Sequence, residues 1–348
     1  MDLRLLLLAD THLGLDAPRR PRVERPRRGP DFFANYRSAL APARRGEVDL
    51  VVHGGDLFFR SKIPPSLTRL AFEPLFEVAD AGVPVFVVPG NHERGAIPHP
   101  LLALHPGVTI FDRPATHTLE VRGRRVALVG FPFARAIRAR FPGLLAATGW
   151  RDVEADLRLL CLHQAVEGAR VGPVDYTFRG GEEVLPGRAI PRGFAAVLCG
   201  HIHRHQILRR DLAGRPLAAP VLYPGSIERT AFAEAAETKG YLLLELDEGG
   251  LRRQRFVPLP ARPMVEGRLS LEGERETVEA RLRELLGALP PRALCRLVPE
   301  GALTPTLAGL LSAASLRALA PPGASVELRP PGASPQRKRR ASRPRVVV

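Results

Sequence analysis

Asp10 and His12 in a DTH triplet, Asp56 in GGD, Asn91 and His92 in GNHE, His163 in CLHQ, and His201 and His203 in GHIH form one ordered series of carboxylate, amide and imidazole donors. That mixture of oxygen and nitrogen suits a pair of divalent cations. Two such ions roughly 3.5–4 Å apart would clamp a phosphoryl group and activate a water between them. Among the candidate ligands only Asp10 and Asp56 carry formal negative charge, so the ions would stay under-neutralised. A site left positive favours a phosphate ester and stabilises the extra charge of in-line attack. Asn91 suits this reading, because its carbonyl ligates without adding charge. A structural zinc site would close on four ligands, often thiolates. Cys161, Cys199 and Cys295 show no such spacing. No serine or cysteine stands at a predicted strand end to compete as nucleophile. Direct attack by a hydroxide that two metals activate is therefore expected, without a covalent intermediate.

Donors scattered over the chain need elements that gather them. Leu3 to Leu8, Val48 to Val52, Val83 to Val88, Leu157 to Leu162 and Ala195 to Cys199 are short apolar runs, and each ends just before a donor group. Such runs fit strands buried on both faces. A strand buries its side chains, ends, and the following residues reach out at its carboxyl edge, where α/β sheets build their sites. Gly55, Gly90 and Gly200 each precede a donor and permit a tight turn or a close approach. Between the runs, Asp31 to Arg45 and Ser66 to Ala81 are predicted helices, with Asp31 and Ser66 as N-caps.

Taken together, DTH, GGD, GNHE, the lone His163 and GHIH resemble the calcineurin-like metallophosphoesterase superfamily. Tyr223 to Glu234, with Lys239-Gly240-Tyr241, is similar to the loop after the last ligands in SbcD-type DNA double-strand-break repair exonucleases. GGDLF and GHIHRHQ point to the same branch. The resemblance implies an α/β fold, the metallophosphoesterase-type αββα sandwich of two mixed sheets flanked by helices, with a small C-terminal α+β capping domain. It assigns Asp10, His12, Asp56 and His203 to one metal, and Asp56, Asn91, His163 and His201 to the other. His92 would face the scissile phosphate and assist the leaving oxygen, and Glu93 would orient His92 by accepting its hydrogen bond. The family usually works with manganese, whereas donor chemistry by itself leaves manganese, iron and zinc open. DNA is the implied substrate, an SbcC-like coiled-coil ABC ATPase the implied partner, and a homodimer is compatible with the small C-terminal module. One departure stands out. Some members carry a second histidine three residues after the bridging aspartate, and that position here is Phe59.

The 348 residues leave room for two domains and a substantial core. Residues 1–257 are expected to form the nuclease domain and 258–263 a linker. Residues 264–330 would be the α+β cap and 331–348 a disordered basic tail. Within the cap, Val278 to Leu286 and Leu307 to Leu319 read as helices, with strands at Ala293 to Val298 and Ser325 to Arg329. No stretch approaches the roughly 20 apolar residues of a membrane span. The opening LRLLLLAD reads as a strand and not a signal peptide. Three cysteines, two of them in predicted buried strands, fit a reducing cytoplasm.

A net charge of +15 favours an acidic partner such as nucleic acid. All but three of the 51 basic residues are arginine, so the total is also open to a compositional origin. Distribution says more. Arg19, Arg20, Arg22, Arg25, Arg27 and Arg28 crowd one proline-rich segment just after the first donors. They could hold a DNA backbone by bidentate phosphate contacts or form a solvated loop. Ser226 and Arg229 could touch phosphate or serve the loop's own hydrogen bonds. His53, His99, His105, His117 and His205 read as structural, and Cys161 and Cys199 as core. Three functions remain. The leading one is a metal-dependent DNA exonuclease in repair. The others are a phosphoesterase for a cyclic nucleotide or phosphomonoester, and a non-catalytic DNA-binding subunit.

Overall fold

The computed structural model of the protein describes residues 2–16 and 28–329. They fall into two units, residues 2–16 with 28–261, and residues 262–329. The larger unit runs β1 (Leu3–Leu8), α1 (Gly29–Arg44), β2 (Leu50–His53), α2 (Pro65–Asp80), β3 (Val85–Val87), β4 (Val108–Ile110), β5 (Ala115–Val121), β6 (Arg124–Gly130), α3 (Ile137–Ala147) and β7 (Leu157–His163). Four two-residue strands follow: β8 (Ala165–Val166), β9 (Arg170–Val171), β10 (Tyr176–Thr177) and β11 (Val184–Leu185). Then come β12 (Ala196–Gly200), β13 (Gln206–Arg210), β14 (Pro216–Tyr223), β15 (Gly240–Asp247) and β16 (Gly250–Pro258).

Two mixed six-stranded sheets result, in the orders β16-β15-β1-β2-β3-β4 and β13-β14-β12-β7-β6-β5. In the first, β1 to β4 run parallel and β15 and β16 pair antiparallel. In the second, β14, β12, β7 and β6 run parallel, with β13 and β5 antiparallel at the edges. The expected sandwich of two mixed sheets flanked by helices is the architecture of this unit.

The run LRLLLL shows why the strands are apolar on both faces. Leu3, Leu5 and Leu7 join Leu50, Val52, Leu159, Cys161 and Leu198 in the layer between the sheets. Leu6 and Leu8 turn the other way, onto Phe32, Tyr36 and Leu40 of α1 and Phe72 and Leu75 of α2. Beneath the second sheet, Val129, Leu160, Leu162 and Val197 meet Ile137, Phe141 and Leu145 of α3. Neither face of a central strand meets water, so period-two alternation is absent.

The predicted caps differ from those observed. Asp31 and Ser66 lie inside the first turns of α1 and α2, and neither helix has a side-chain cap. A proline at N1 or N2 starts each helix instead, with its φ already helical and no amide to satisfy. In the smaller unit, β17 (Met264–Ser270), β18 (Leu294–Glu300) and β19 (Ser325–Leu328) form a parallel sheet. Helix α4 (Arg275–Gly287) packs on it through Val278, Leu282 and Leu286. The single helix expected over 307–319 is two, α5 (Pro305–Ala308) and α6 (Ala313–Leu319). Ser312 breaks it, because its hydroxyl accepts from the Ser315 amide at 3.2 Å and caps a new helix. Among the described residues, no helix is long and apolar enough to cross a membrane.

At the carboxyl edges the two sheets touch backbone to backbone. A Cβ placed on Gly200 would lie 2.3 Å from the Gly54 carbonyl oxygen and 2.9 Å from His163 Nδ1. The obstacle is main chain, so relaxation is costly. Gly200→Ala should destabilise the protein by about 1–3 kcal/mol and weaken metal binding, read by urea unfolding and by calorimetric metal titration. Wild-type values in both would show that this contact is not needed.

Candidate metal centre

The donor series assembles where β1, β2, β3, β7 and β12 end. Beyond its last paired residue, β1 keeps company with the β2 loop. Asp10 N donates to Gly55 O at 2.8 Å, His12 N to Asp56 O at 3.0 Å, and Leu13 N to Leu57 O at 2.8 Å. This continued ladder holds Asp10, His12 and Asp56 side by side. All three have positive φ, at 51°, 45° and 51°, and so does His201 at 85°. Such backbone is strained for residues other than glycine. The second sheet delivers His163 at the end of β7 and His201 just after β12. His163 reaches the first sheet directly, its Nδ1 donating to Gly54 O at 2.8 Å. Gly55 permits this, because a Cβ there would sit 2.2 Å from that nitrogen and its φ is 109°.

Three groups of side chains each bring one donor atom apiece within 4.8 Å of one another: Asp10, His12 and His203; Asp10, Asp56 and His163; and His12, Asp56 and His92. Asp56 Oδ2 lies between the halves, 3.4 Å from His163 Nε2 and 4.0 Å from His12 Nε2. Asn91 Oδ1 is 3.0 Å from His163 Nε2 and 2.7 Å from His201 Nδ1. His12 Nε2 and His203 Nε2 face each other at 2.9 Å.

These contacts suit cations. His163 spends its Nδ1 proton on Gly54, so a neutral His163 aims an Nε2 lone pair at the Asn91 carbonyl. His203 Nδ1 donates to Glu234 Oε1 at 2.9 Å, so its Nε2 lone pair likewise turns toward His12. Each contact brings two potential ligand atoms together, with either a shared proton or a metal ion between them, and His12 Nδ1 has no hydrogen-bond partner among the described residues. The donor set, carboxylate, imidazole and one amide, fits divalent transition metals. Backing of a ligand imidazole by a carboxylate or carbonyl is the usual arrangement.

Electrostatics in the cation-free protein follow from the same crowding. Burial alone would depress His163, yet the Asp56 carboxylate overrides it and pushes it up to about 9. Burial opposes protonation of His203 as well, and the hydrogen bond to Glu234 raises it regardless. Burial favours neutral Asp56, but His163, His12 and His92 hold it well below the usual carboxylate range. Burial lifts Asp10 to about 6 against the pull of His163 and His203. His201 falls to about 3, through burial first and the charge of His163 second.

His92 is half-buried, its side chain 34% accessible, with Nε2 3.9 Å from Asp56 Oδ2. Its Nδ1 donates to the Phe59 carbonyl at 2.6 Å, not to Glu93 as expected. Both oxygens of Glu93 accept backbone amides instead, from Phe58 and Gly90. The buried carboxylate thus ties the GGD loop to the GNHE loop. Burial, and then the charge of Asp56, push it up to about 8.

The residues read as either DNA contacts or structural groups take internal partners where they are described. Ser226 is fully buried and its hydroxyl donates to Glu228 O at 2.8 Å. Arg28 is 8% exposed, donates to the Arg229 carbonyl, and lies 3.7 Å from Glu228. Arg229 Nε donates to Glu237 O at 3.1 Å. These polar groups satisfy the loop's own backbone and carboxylates. Arg19, Arg20, Arg22, Arg25 and Arg27, like the tail beyond 330, lie outside the described residues. His53, read as structural, accepts from Gly55 N at 3.2 Å and meets Thr11 Oγ1 at 3.0 Å.

Residues of the Tyr223 to Tyr241 segment to which the sequence assigns no role hold His203. Glu234 accepts from His203 and from Thr230 Oγ1 at 2.6 Å. Lys239 is 1% exposed and lies 2.8 Å from both Glu234 Oε2 and Glu237 Oε2. It also donates to His203 O at 2.9 Å. The signal available in the sequence was the Tyr223 to Tyr241 segment itself, in which Thr230, Glu234 and Lys239 all lie.

Residues 3–205 match the sequence profile of a family described as calcineurin-like phosphoesterase. The DNA double-strand break repair protein Mre11 of Methanopyrus kandleri is 28% identical over 283 residues, covering 73% of this chain and 56% of that protein. The protein of the same name from Archaeoglobus fulgidus is 26% identical over 303 residues, covering 80% and 64%. That from Haloferax volcanii is 30% identical over 291 residues, covering 81% and 58%. The chain thus spans 56% to 64% of the length of these relatives.

Two measurements probe the centre. His163 is raised to about 9, so below that pH it carries a proton that a cation must displace. Manganese binding at pH 7 should release protons, apparent affinity should climb toward pH 9, and release should fade above it. Calorimetry in two buffers of different ionisation enthalpy reads this, and binding without proton release would refute the arrangement. Glu234→Ala should weaken metal binding about 10-fold to 100-fold, through loss of the imidazole's support. An unchanged Kd would remove Glu234 from the centre.

Proposed function

The chain belongs to the calcineurin-like phosphoesterase family, and from that premise we propose that it is a metal-dependent DNA phosphodiesterase, an exonuclease of the SbcD and Mre11 type acting in repair. One observation carries the reading: imidazole, amide and carboxylate donors from two separate sheets converge within about 3–4 Å of one another, and Asp56 lies between them. Asp10, His12, Asp56 and His203 are assigned to one ion, and Asp56, Asn91, His163 and His201 to the other. Manganese is the proposed metal. When bound, the ions would supply Lewis acidity and an activated water for in-line attack at phosphorus.

The protein's own groups do the rest. Glu234 and Gly54 fix the rings of His203 and His163 through their Nδ1 protons. The Phe59 carbonyl fixes His92 in the same way and leaves Nε2 facing the cleft. A protonated His92 can stabilise charge on the phosphate and donate to the leaving oxygen. Asp56 Oδ1 accepts the His92 amide at 2.9 Å, so the acid and the bridging carboxylate are held in one frame. Support for DNA as substrate comes from the relatives named as double-strand break repair proteins, the Tyr223 to Tyr241 segment and the net charge of +15. The smaller unit is assigned the role of a cap that selects DNA geometry. An SbcC-like ATPase is the partner this reading implies. Buried free thiols at Cys161, Cys199 and Cys295 suit a reducing cytoplasm.

The purified chain with manganese should degrade labelled linear DNA and hydrolyse bis(p-nitrophenyl) phosphate faster than p-nitrophenyl phosphate. Preference for the monoester with intact DNA would favour a small-molecule phosphoesterase. His92→Ala should lower turnover about 10²- to 10⁴-fold with manganese affinity unchanged. Loss of metal binding would instead make His92 a ligand.

A further inference from the structure

Two phenyl rings border the donor cluster, one at each end. The Phe59 ring centroid lies 6.2 Å from that of His12 and 5.7 Å from that of His92. The Phe133 centroid lies 6.2 Å from His163 and 5.9 Å from His201. Both residues are half-buried, so each keeps part of its surface accessible. Phe59 also packs against the core beneath the first sheet. Phe133 packs against none of the apolar clusters among the described residues.

Phe133 is nonetheless held firmly. Its amide donates to Pro89 O at 2.8 Å, and its carbonyl faces Gly95, where a Cβ would come within 3.1 Å. The fold thus fixes the backbone of a phenylalanine whose ring does no packing in the core. The part of the ring left in water forgoes about 25 cal/mol per Å², and the rings beside it are the imidazoles of His163 and His201. Arg60 follows Phe59 in the chain, Arg135 lies two residues beyond Phe133, and both arginines are exposed. The cluster is therefore bordered at each end by a flat apolar surface with a cation nearby in sequence.

A phosphomonoester carries one organic group and would use one such surface. A phosphodiester within a nucleic acid carries a nucleoside on each side and would use both. We propose that Phe59 and Phe133 are stacking platforms for the nucleobases that flank the scissile phosphodiester. Phe59 serves the His12 and His92 side, and Phe133 the Asn91, His163 and His201 side. This assignment rests on the DNA-cleaving reading and adds to it a demand for bases that are unpaired at the cut. Every base has a π-face, so the demand is for a base and not for a sequence.

The test compares a single-stranded oligonucleotide with a tract of the same length built from tetrahydrofuran abasic residues, using the full chain with manganese. Phe133→Ala should lower kcat/KM on the base-bearing strand about 10-fold to 100-fold, with changes within about threefold on the abasic tract, and Phe59→Leu should lower it several-fold more on the base-bearing strand than on the abasic tract. Phe59→Leu keeps the core contact filled, and Phe133→Tyr should restore the base-bearing activity. Equal losses on both strands would overturn stacking and leave the nuclease reading intact. A wild-type chain that cuts neither strand yet hydrolyses p-nitrophenyl phosphate would overturn both. Binding gives a readout apart from turnover. A strand containing 2-aminopurine should lose fluorescence on the His92→Ala protein with manganese, and lose less when Phe133→Ala is added. Equal quenching in the two proteins would count against the proposal.

Discussion

The approach of Gly54 to Gly200 is the constraint from which the rest of this structure follows. Sheets packed face to face usually stand about 10 Å apart, separated by two layers of side chains. Between these sheets the space is filled by side chains of both, among them Leu3, Leu5, Leu7, Leu159 and Leu198. At the carboxyl edges the side chains run out and two glycines meet, with an ideal Gly54 Cβ only 3.0 Å from Gly200 N. The sheets then lie close enough for His163, from the second sheet, to donate to the Gly54 carbonyl of the first. His201 N donates to both Asp10 oxygens at 3.1 Å across the same seam. Short side chains can therefore share a site although they belong to different sheets.

Closeness has a cost that the loops must offset. Asp10, His12, Asp56 and His201 sit in left-handed backbone, at a strain of order 1–3 kcal/mol each. Desolvation of the two carboxylates and the imidazoles opposes the same assembly. Against this stand the continued ladder between the β1 and β2 loops and the Glu93 carboxylate, which accepts one amide from each of two ligand loops. Backbone hydrogen bonds of this kind each add only about 0.5–1.5 kcal/mol net. A protein-only centre is thus held tightly in place but stays electrostatically unsettled, and bound cations would complete it.

How legible this was depends on the range of the interaction. The central strands could be read because a strand covered on both faces must be apolar throughout, as Leu3 to Leu8 is. The donors could be read because each follows such a run. Local signals were weaker at the helix starts, where Pro30 and Pro65 displaced the capping roles expected of Asp31 and Ser66. What escaped the sequence were contacts made at long separation. His92 to the Phe59 carbonyl, Glu93 to the Phe58 amide, Glu234 to His203, and Arg28 to Glu228 all depend on where loops meet in space. An arginine or serine beside a ligand motif looks the same whether it faces solvent or its own backbone. Arg28 and Ser226 face the backbone, which only the fold could reveal.

The charge that a substrate would meet is set by the residues behind the ligands. Glu234 stands directly behind His203, and unopposed it would add a third negative charge to those of Asp10 and Asp56. Lys239, buried and 2.8 Å from both Glu234 and Glu237, and Arg204, 3.2 Å from Glu237, together offset these two acids while leaving Glu234 Oε1 free to accept the imidazole proton. Glu93 is another nearby acid, but both its oxygens are spent on the backbone amides of Phe58 and Gly90, so it offers the ions no ligand atom. Two carboxylates then face the charge of two divalent ions, and the deficit falls to whatever binds next. A phosphodiester anion reduces it, and the added charge of attack at phosphorus reduces it further, which is the order of preference a hydrolytic site needs. The buried lysine therefore bears on the chemistry without touching a substrate: it prevents the group that aligns His203 from neutralising the centre.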